Sequence, residues 1–265
     1  MKKRIWKGAE DVDGQETQVD KSEARVKAMF NEIAPRYDFL NNLLSVGLAP
    51  LWRRRAVRRV LAQIDGERVR AGVTETLDVA TGTGDMILEL RRRWAALARK
   101  DATRQGDLRT TGVDFSSEML ALARRKAPDV EFVEGDGCDL PFDSERFDAV
   151  TISFGLRNMA DPARGVAEMG RVCRRGGTLA ILEFSKPRFP IFAPIFRFYF
   201  HRILPLIGQR VMKNTTDAYK YLPESVDAFD SPERVLEYMR SSGFPNARRY
   251  PMTFGVLGLF IGRKE

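Results

Sequence analysis

Leu77-Asp78-Val79-Ala80-Thr81-Gly82-Thr83-Gly84-Asp85 decides how this sequence is read. Its opening, Leu77 to Ala80, is a short apolar run interrupted by one acid, the pattern of a buried strand. Gly82 and Gly84 follow, two residues that accept positive φ and let the backbone approach a ligand closely. A helix follows from Asp85 to about residue 99. In open α/β sheets the ligand lies beyond the carboxyl ends of the strands, where such a turn sits. A dinucleotide fingerprint G-x-G-x-x-G would place a third glycine at position 87, which is Ile87. An acid at the start of the turn and no third glycine suit S-adenosyl-L-methionine, which has no pyrophosphate to cradle. Gly-rich turns are common, so this turn alone leaves the ligand open.

Working outward, strands and helices alternate. Residues 112–114 end a second strand, and a helix follows over 117–126. Residues 130–133 and 147–153 read as the third and fourth strands. Asp161 as N-cap and Pro162 at the first position open a helix running to 173. Residues 177–184 form a fifth strand, Ser231-Pro232 opens another helix to 242, and 247–250 and 256–261 are two final strands joined by a short turn. The pattern predicts a Rossmann-like α/β domain: a mostly parallel sheet with an antiparallel final strand and helices on both faces. Residues 23–70 read as an N-terminal helical cap, with helices over 22–34, 37–44 and 50–63. On the last of these, Trp52, Ala56, Val57, Val60 and Leu61 face inward. Residues 1–22 read as a disordered tail, 23–265 as a single domain, and 185–230 as an aromatic insertion forming a lid.

The chain has 265 residues, 44 Lys+Arg against 36 Asp+Glu, and a net charge of +8. That excess fits a nucleic-acid partner, an anionic membrane surface or a solvated basic face. The arginine runs at 53–55, 58–59, 91–93, 174–175 and 248–249 are scattered, which favours surface charge over a dedicated tail. Two cysteines, Cys138 and Cys173, and one histidine, His201, exclude a disulfide framework and a Cys- or His-built metal centre. No apolar h-region follows the basic start. The most apolar stretch, 189–212, holds Arg197, His201, Arg202, Arg210 and three prolines, short of the roughly 18 unbroken apolar residues of a spanning helix. A cytoplasmic, reducing location is expected.

Acids recur at successive strand ends. Asp114 is placed to accept both ribose hydroxyls, or to cap the next helix together with Ser116. Asp136, in Glu134-Gly135-Asp136-Gly137, is placed to bond the adenine amino group, or is a plain turn residue. Asp78, Gly82, Gly84, Asp114 and Asp136 together say more than any one of them. The fourth strand ends Thr151-Ile152-Ser153-Phe154-Gly155-Leu156-Arg157-Asn158. It lacks the Pro-Pro-aromatic motif of base amino-methylating enzymes, and neither cysteine follows a proline as a cytosine C5 nucleophile does. Both absences argue against a nucleic-acid substrate.

At this point the sequence resembles a family, the ubiquinone/menaquinone biosynthesis C-methyltransferases within the class I methyltransferases. The carrying strings are Ala34-Pro35-Arg36-Tyr37-Asp38 with Asn41 and Trp52, the Gly turn, Leu140-Pro141-Phe142, Ile152 to Asn158, Leu182-Glu183-Phe184-Ser185-Lys186-Pro187, and Tyr219 to Ser225. Thr81, Arg175 and a charged insertion over 98–109 depart from the pattern without removing a functional group. The resemblance implies S-adenosyl-L-methionine as cofactor, with contacts from Thr83, Asp114, Asp136, Gly137 and Ser153. It implies no metal, and methyl transfer to a ring carbon of a prenylated quinol, with demethylmenaquinol expected and the methoxy-benzoquinol as a further substrate. Arg157 is assigned to the developing phenolate, Asn158 to orienting the quinol oxygen and Tyr37 to closing the pocket. The alternative for Arg157 is a surface ion pair with Asp161. His201 is the general base by type, but its place in the insertion suits an interfacial role. Phe189, Phe192, Phe196, Phe198, Tyr199 and Phe200 read either as a packed helical lid or as a greasy entrance at the inner membrane surface. Peripheral membrane contact, no nucleic-acid partner and a homodimer are the expected associations. Methylation of another small aromatic or lipid acceptor, and a non-catalytic basic binding module, are the competing readings.

Overall fold

A computed structural model describes residues 23–64, 72–100, 106–185, 198, 202 and 218–265. The predicted tail, most of the aromatic insertion and His201 lie outside the described residues. Three helices come first: α1 (Glu23–Ile33), α2 (Tyr37–Leu44) and α3 (Ala49–Gln63). Then follow β1 (Val73–Val79), α4 (Asp85–Ala98), β2 (Asp107–Asp114), α5 (Ser117–Lys126), β3 (Glu131–Glu134), β4 (Phe147–Ser153), α6 (Pro162–Val172) and β5 (Cys173–Phe184). The chain closes with α7 (Ala218–Asp227), α8 (Pro232–Ser241), β6 (Arg248–Met252) and β7 (Leu257–Arg263).

The strands form one seven-stranded sheet in the order β3-β2-β1-β4-β5-β7-β6. The first five run parallel, and β7 is inserted antiparallel between β5 and β6. β1 and β4 lie at its centre and are almost wholly buried, so that polar residues such as Thr76, Asp78, Asp148 and Thr151 are buried with the apolar ones. Caps set the helix starts. Asp161 accepts the Arg164 N–H at 3.0 Å, Ser116 the Met119 N–H at 3.2 Å and Ser231 the Arg234 N–H at 3.3 Å.

One face of the sheet carries Leu77, Phe147, Val150, Val166, Met169, Val235, Phe244 and Phe260 in a single core. The other packs Trp52, Val57, Leu61, Leu90 and Trp94 on Ala180, Leu182 and Leu259. The predicted helical cap therefore divides: α3 is a layer of the sheet, because its inward residues recur at the spacing that suits a flat neighbour. The end of α1 and the residue after it instead meet α5, with Ile33 and Ala34 against Met119. Order reversal at β1, between β2 and β4, opens a crevice at the carboxyl edge of the sheet, and the site lies there.

Candidate active site

β1 delivers Asp78 beneath the Gly turn. Its Oδ2 accepts the Thr81 hydroxyl at 2.8 Å and its Oδ1 the Thr151 hydroxyl at 2.6 Å. Burial pushes this carboxyl up to about 7 against both hydrogen bonds, with the Asp114 charge adding to the rise. The turn itself runs through positive φ at Ala80 (50°), Gly82 (56°) and Gly84 (82°). Ala80 carries a Cβ there, a local cost of about 1–2 kcal/mol that the surrounding fold sustains. Phe154, at the end of β4, is a second such residue (φ 59°).

Asp114 ends β2 facing the turn. Its Oδ2 accepts the Gly82 N–H at 2.8 Å and its Oδ1 the Ser116 N–H at 2.9 Å. Burial raises it to about 6, while those N–H groups pull the other way. The Phe115 N–H also reaches this carboxylate, which with about four acceptor sites in all keeps capacity for a ligand hydroxyl. Asp136 accepts the Cys138 N–H at 2.8 Å and turns the chain after β3.

Three adjoining cavities lie over this edge. One of about 540 Å³ is lined by Asp114, Phe115, Asp136, Gly137, Gly155 and Met159 among others. A smaller one of about 360 Å³ is lined by Tyr37, Gly82, Asp114, Ser153, Phe154 and Asn158 among others. The third, about 810 Å³, is largely apolar, with Phe30, Ile33, Trp52, Phe154, Phe184 and Leu222 in its wall beside Arg53 and Arg157. Tyr37 and Phe154 are shared by the second and third, so they form the seam between the polar crevice and the apolar chamber. Trp52 and Phe184 stack at a tilt on either side of the Phe154 ring.

The crevice fits S-adenosyl-L-methionine on its own features. Ser153 Oγ is buried without a hydrogen-bond partner. A Cβ on Gly155 would lie 2.5 Å from that of Ala80, and one on Gly137 would lie 2.4 Å from Met159 Cε. Glycine at these two positions lets the backbone of the crevice wall pack directly on the Ala80 and Met159 side chains. Of the predicted cofactor residues, Gly82, Asp114, Asp136, Gly137 and Ser153 line the cavities. Asp78, Thr83 and Gly84 stand behind them: Asp78 braces the turn, and Gly84 caps α4.

The Thr83 hydroxyl faces the helices instead. It donates to Asp38 Oδ1 at 2.6 Å and accepts from Lys126 Nζ at 2.9 Å. Lys126 also meets Asp38 at 2.6 Å and Asp85 at 2.9 Å, and Asp85 takes Arg53 at 2.9 Å. This network ties α2 and α3 to the Gly turn. Asn31, accepting the Ser116 hydroxyl at 2.6 Å, and Lys27, on Glu134 at 2.8 Å, tie α1 to the far rim. The local sequence signals helices at these places but no partners for them, so these contacts went unforeseen.

Tyr37 sits at the seam with Asn41 bonded to its hydroxyl, and burial raises that hydroxyl above the ordinary tyrosine range. Asn158 is held at both ends: its Oδ1 accepts the Tyr221 hydroxyl at 3.2 Å and its Nδ2 donates to the Phe154 carbonyl at 3.3 Å. Arg157 is 6% exposed and pairs with Glu183 at 2.9 Å, not with Asp161. The ion pair of the alternative reading is thus made with a different, buried partner. Arg157 lies in a short 3₁₀ turn, Leu156–Asn158, whose backbone N–H also meets Glu183, while Asp161 is engaged in capping α6. Among the described residues no group of three or more His, Cys, Asp or Glu is placed to hold a metal ion.

The ubiE/COQ5 methyltransferase family model matches residues 18–264. A demethylmenaquinone methyltransferase of Deinococcus radiodurans is 44% identical over 93% of this chain and 95% of its own. One from Thermus thermophilus is 44% identical over 88% and 99%, and a ubiquinone/menaquinone biosynthesis C-methyltransferase of Geotalea daltonii is 39% identical over 91% and 96%. Among solved structures, an S-adenosylmethionine-dependent methyltransferase of Thermotoga maritima, possibly acting on histamine, shares the fold. It gives a TM-score of 0.60 at 17% identity, covering 91% of this chain and all of the other. With a family model spanning nearly the whole sequence and these relatives alike from end to end, the chain belongs to the ubiE/COQ5 methyltransferase family.

Proposed function

We propose that the protein methylates a ring carbon of a prenylated quinol with S-adenosyl-L-methionine, and that demethylmenaquinol is its substrate. The observation that carries this reading is the large apolar chamber joined to the polar crevice at Tyr37 and Phe154. An aromatic ring at that seam has Arg157 on the chamber side and Asn158 on the crevice side. The relatives at 44% identity are named for the naphthoquinol reaction, and the one at 39% for both quinones, which keeps the methoxy-benzoquinol as a second substrate.

S-adenosyl-L-methionine supplies a methyl group already carried on a good leaving group. The protein supplies alignment and charge. In this reading Asp114 receives ribose hydroxyls on its spare acceptor sites, and Ser153, Asp136 and Gly137 complete the crevice. Holding carbon and methyl in line is worth up to about 7–11 kcal/mol in favourable cases. The ring carbon gains nucleophilicity when the neighbouring hydroxyl loses its proton, a step worth about 10²–10⁴-fold when assisted. Arg157 stays protonated and donates to the developing phenolate, and Asn158 fixes the quinol oxygen. Tyr37 closes the seam against water.

A prenylated substrate resides in the bilayer, so we place the enzyme in the cytoplasm with peripheral contact to the membrane surface. There each nearby Lys or Arg of a basic protein adds about 1 kcal/mol. No helix among the described residues is long and apolar enough to cross a membrane. The test offers labelled S-adenosyl-L-methionine and each prenylated quinol to the pure protein in detergent or vesicles. Carbon methylation of demethylmenaquinol is expected, and methylation of neither quinol overturns the proposal. Arg157→Ala lowers turnover and leaves cofactor affinity near the parent value, because Arg157 lines the apolar chamber and not the Asp114 crevice.

A further inference from the structure

Among the described residues, the apolar chamber has two cations in its wall and no acid. A buried guanidinium in such a place is ordinarily a carboxylate receptor, since its fork takes two oxygens at once. Here both are already balanced. Arg53 meets Asp85 at 2.9 Å. Arg157 meets Glu183 at 2.9 Å, and Glu183 is fully buried. Glu183 is held firmly: its Oε1 also accepts the Phe184 N–H at 2.7 Å and its Oε2 the Arg157 N–H at 3.2 Å. Arg157 Nη1 also donates to the Phe154 carbonyl, and Nε is buried without a partner among the described residues. The other polar groups lining the chamber, on Tyr37, Asn41, Ser45 and Tyr221, are neutral.

We infer that Glu183 is a specificity-determining residue: by occupying Arg157 it makes the chamber select an uncharged hydroxyaromatic and reject one that carries a carboxylate. The inference rests on the reading of this chamber as the methyl-acceptor site. An anionic guest would have to displace Glu183 from Arg157 and leave that acid buried without its partner, or be buried itself beside a like charge. Either costs several kcal/mol, which is about 100-fold or more in affinity. A hydroxyl enters neutral and meets no such barrier on binding; only the partial charge that develops on it during the reaction falls to Arg157.

The test is a binding measurement on the full chain with saturating S-adenosyl-L-methionine, using 2-naphthol, 2-naphthoate and the cation 2-naphthylmethylammonium as probes. In the parent protein 2-naphthol binds and both ions bind about 100-fold more weakly. Glu183→Gln leaves Arg157 unbalanced, so naphthoate tightens by about tenfold or more while naphthol changes by less than about threefold. Arg157→Gln leaves Glu183 unbalanced and favours the cation instead. The mirrored outcomes separate charge selection from loss of packing, and either variant decides the matter if the other does not fold. Naphthoate binding as well as naphthol in the parent, or an unchanged ratio in a folded variant, overturns the inference. Failure to methylate any quinol while the probes behave as stated would overturn the proposed substrate and leave the charge selection standing.

Discussion

Asp78→Asn is the most direct probe of how the turn is built. The side chain is 2% exposed, and its carboxyl titrates near 7 in the fold against an ordinary 3.8. The folded state therefore holds a proton that the unfolded chain has already lost, across the interval between those values. Stability tied to this group is fully present below the lower value and is lost as pH rises through the higher one. From about pH 5 to about pH 7 the loss is two units at 1.36 kcal/mol each, about 2.7 kcal/mol. Asparagine keeps the shape and cannot ionise. The Thr81 and Thr151 hydroxyls that now donate to Asp78 are free to rotate and suit an amide. In urea unfolding of both proteins, the stability of the variant relative to the parent should rise by about 2–3 kcal/mol between about pH 5 and about pH 8. Because the two differ only at Asp78, other groups that titrate in this range cancel. A difference that stays constant with pH would show that burial does not govern this carboxyl, and the account of the turn would fall with it.

Asp114→Asn should weaken S-adenosyl-L-methionine binding about tenfold or more by calorimetry, since charge-assisted bonds are worth about 1.5–3 kcal/mol. Turnover at saturating cofactor should change less. Gly155→Ala should destabilise the fold by about 1–3 kcal/mol, because the new Cβ meets that of Ala80 at 2.5 Å, and cofactor affinity should fall as the crevice is forced apart. Lys126→Met opens a half-exposed network, so thermal stability should move by under about 1 kcal/mol. Hydrogen exchange in residues 23–47 should nonetheless rise, since Asp38 and Thr83 lose their shared cation. A melting curve and an exchange map check these together.

The parts of the fold that were legible in the sequence are those fixed by near neighbours. Gly82 and Gly84 announce the turn because only certain backbones allow it, and Ser116, Asp161 and Ser231 announce helix starts because their side chains cap amides three residues on. Strand alternation gave the mostly parallel sheet with its antiparallel end, and acids at strand ends pointed to Asp114 and Asp136. Nothing local told that Arg157 would meet Glu183 rather than Asp161. The two lie 26 positions apart and meet only because β4 and β5 run side by side in register, Ser153 beside Leu182.

The sequence by itself determined the order of elements, the Gly turn and the acids that face the crevice, because backbone preference and burial period act over a few residues. Only the tertiary structure decided that Asp78 braces the turn from below, that Thr83 looks outward to Asp38 and Lys126, and that Glu183 neutralises Arg157 beside the apolar chamber. Such contacts arise where strands and helices distant in sequence converge, and a side chain's partner there is set by packing and by the cost of burying a charge alone.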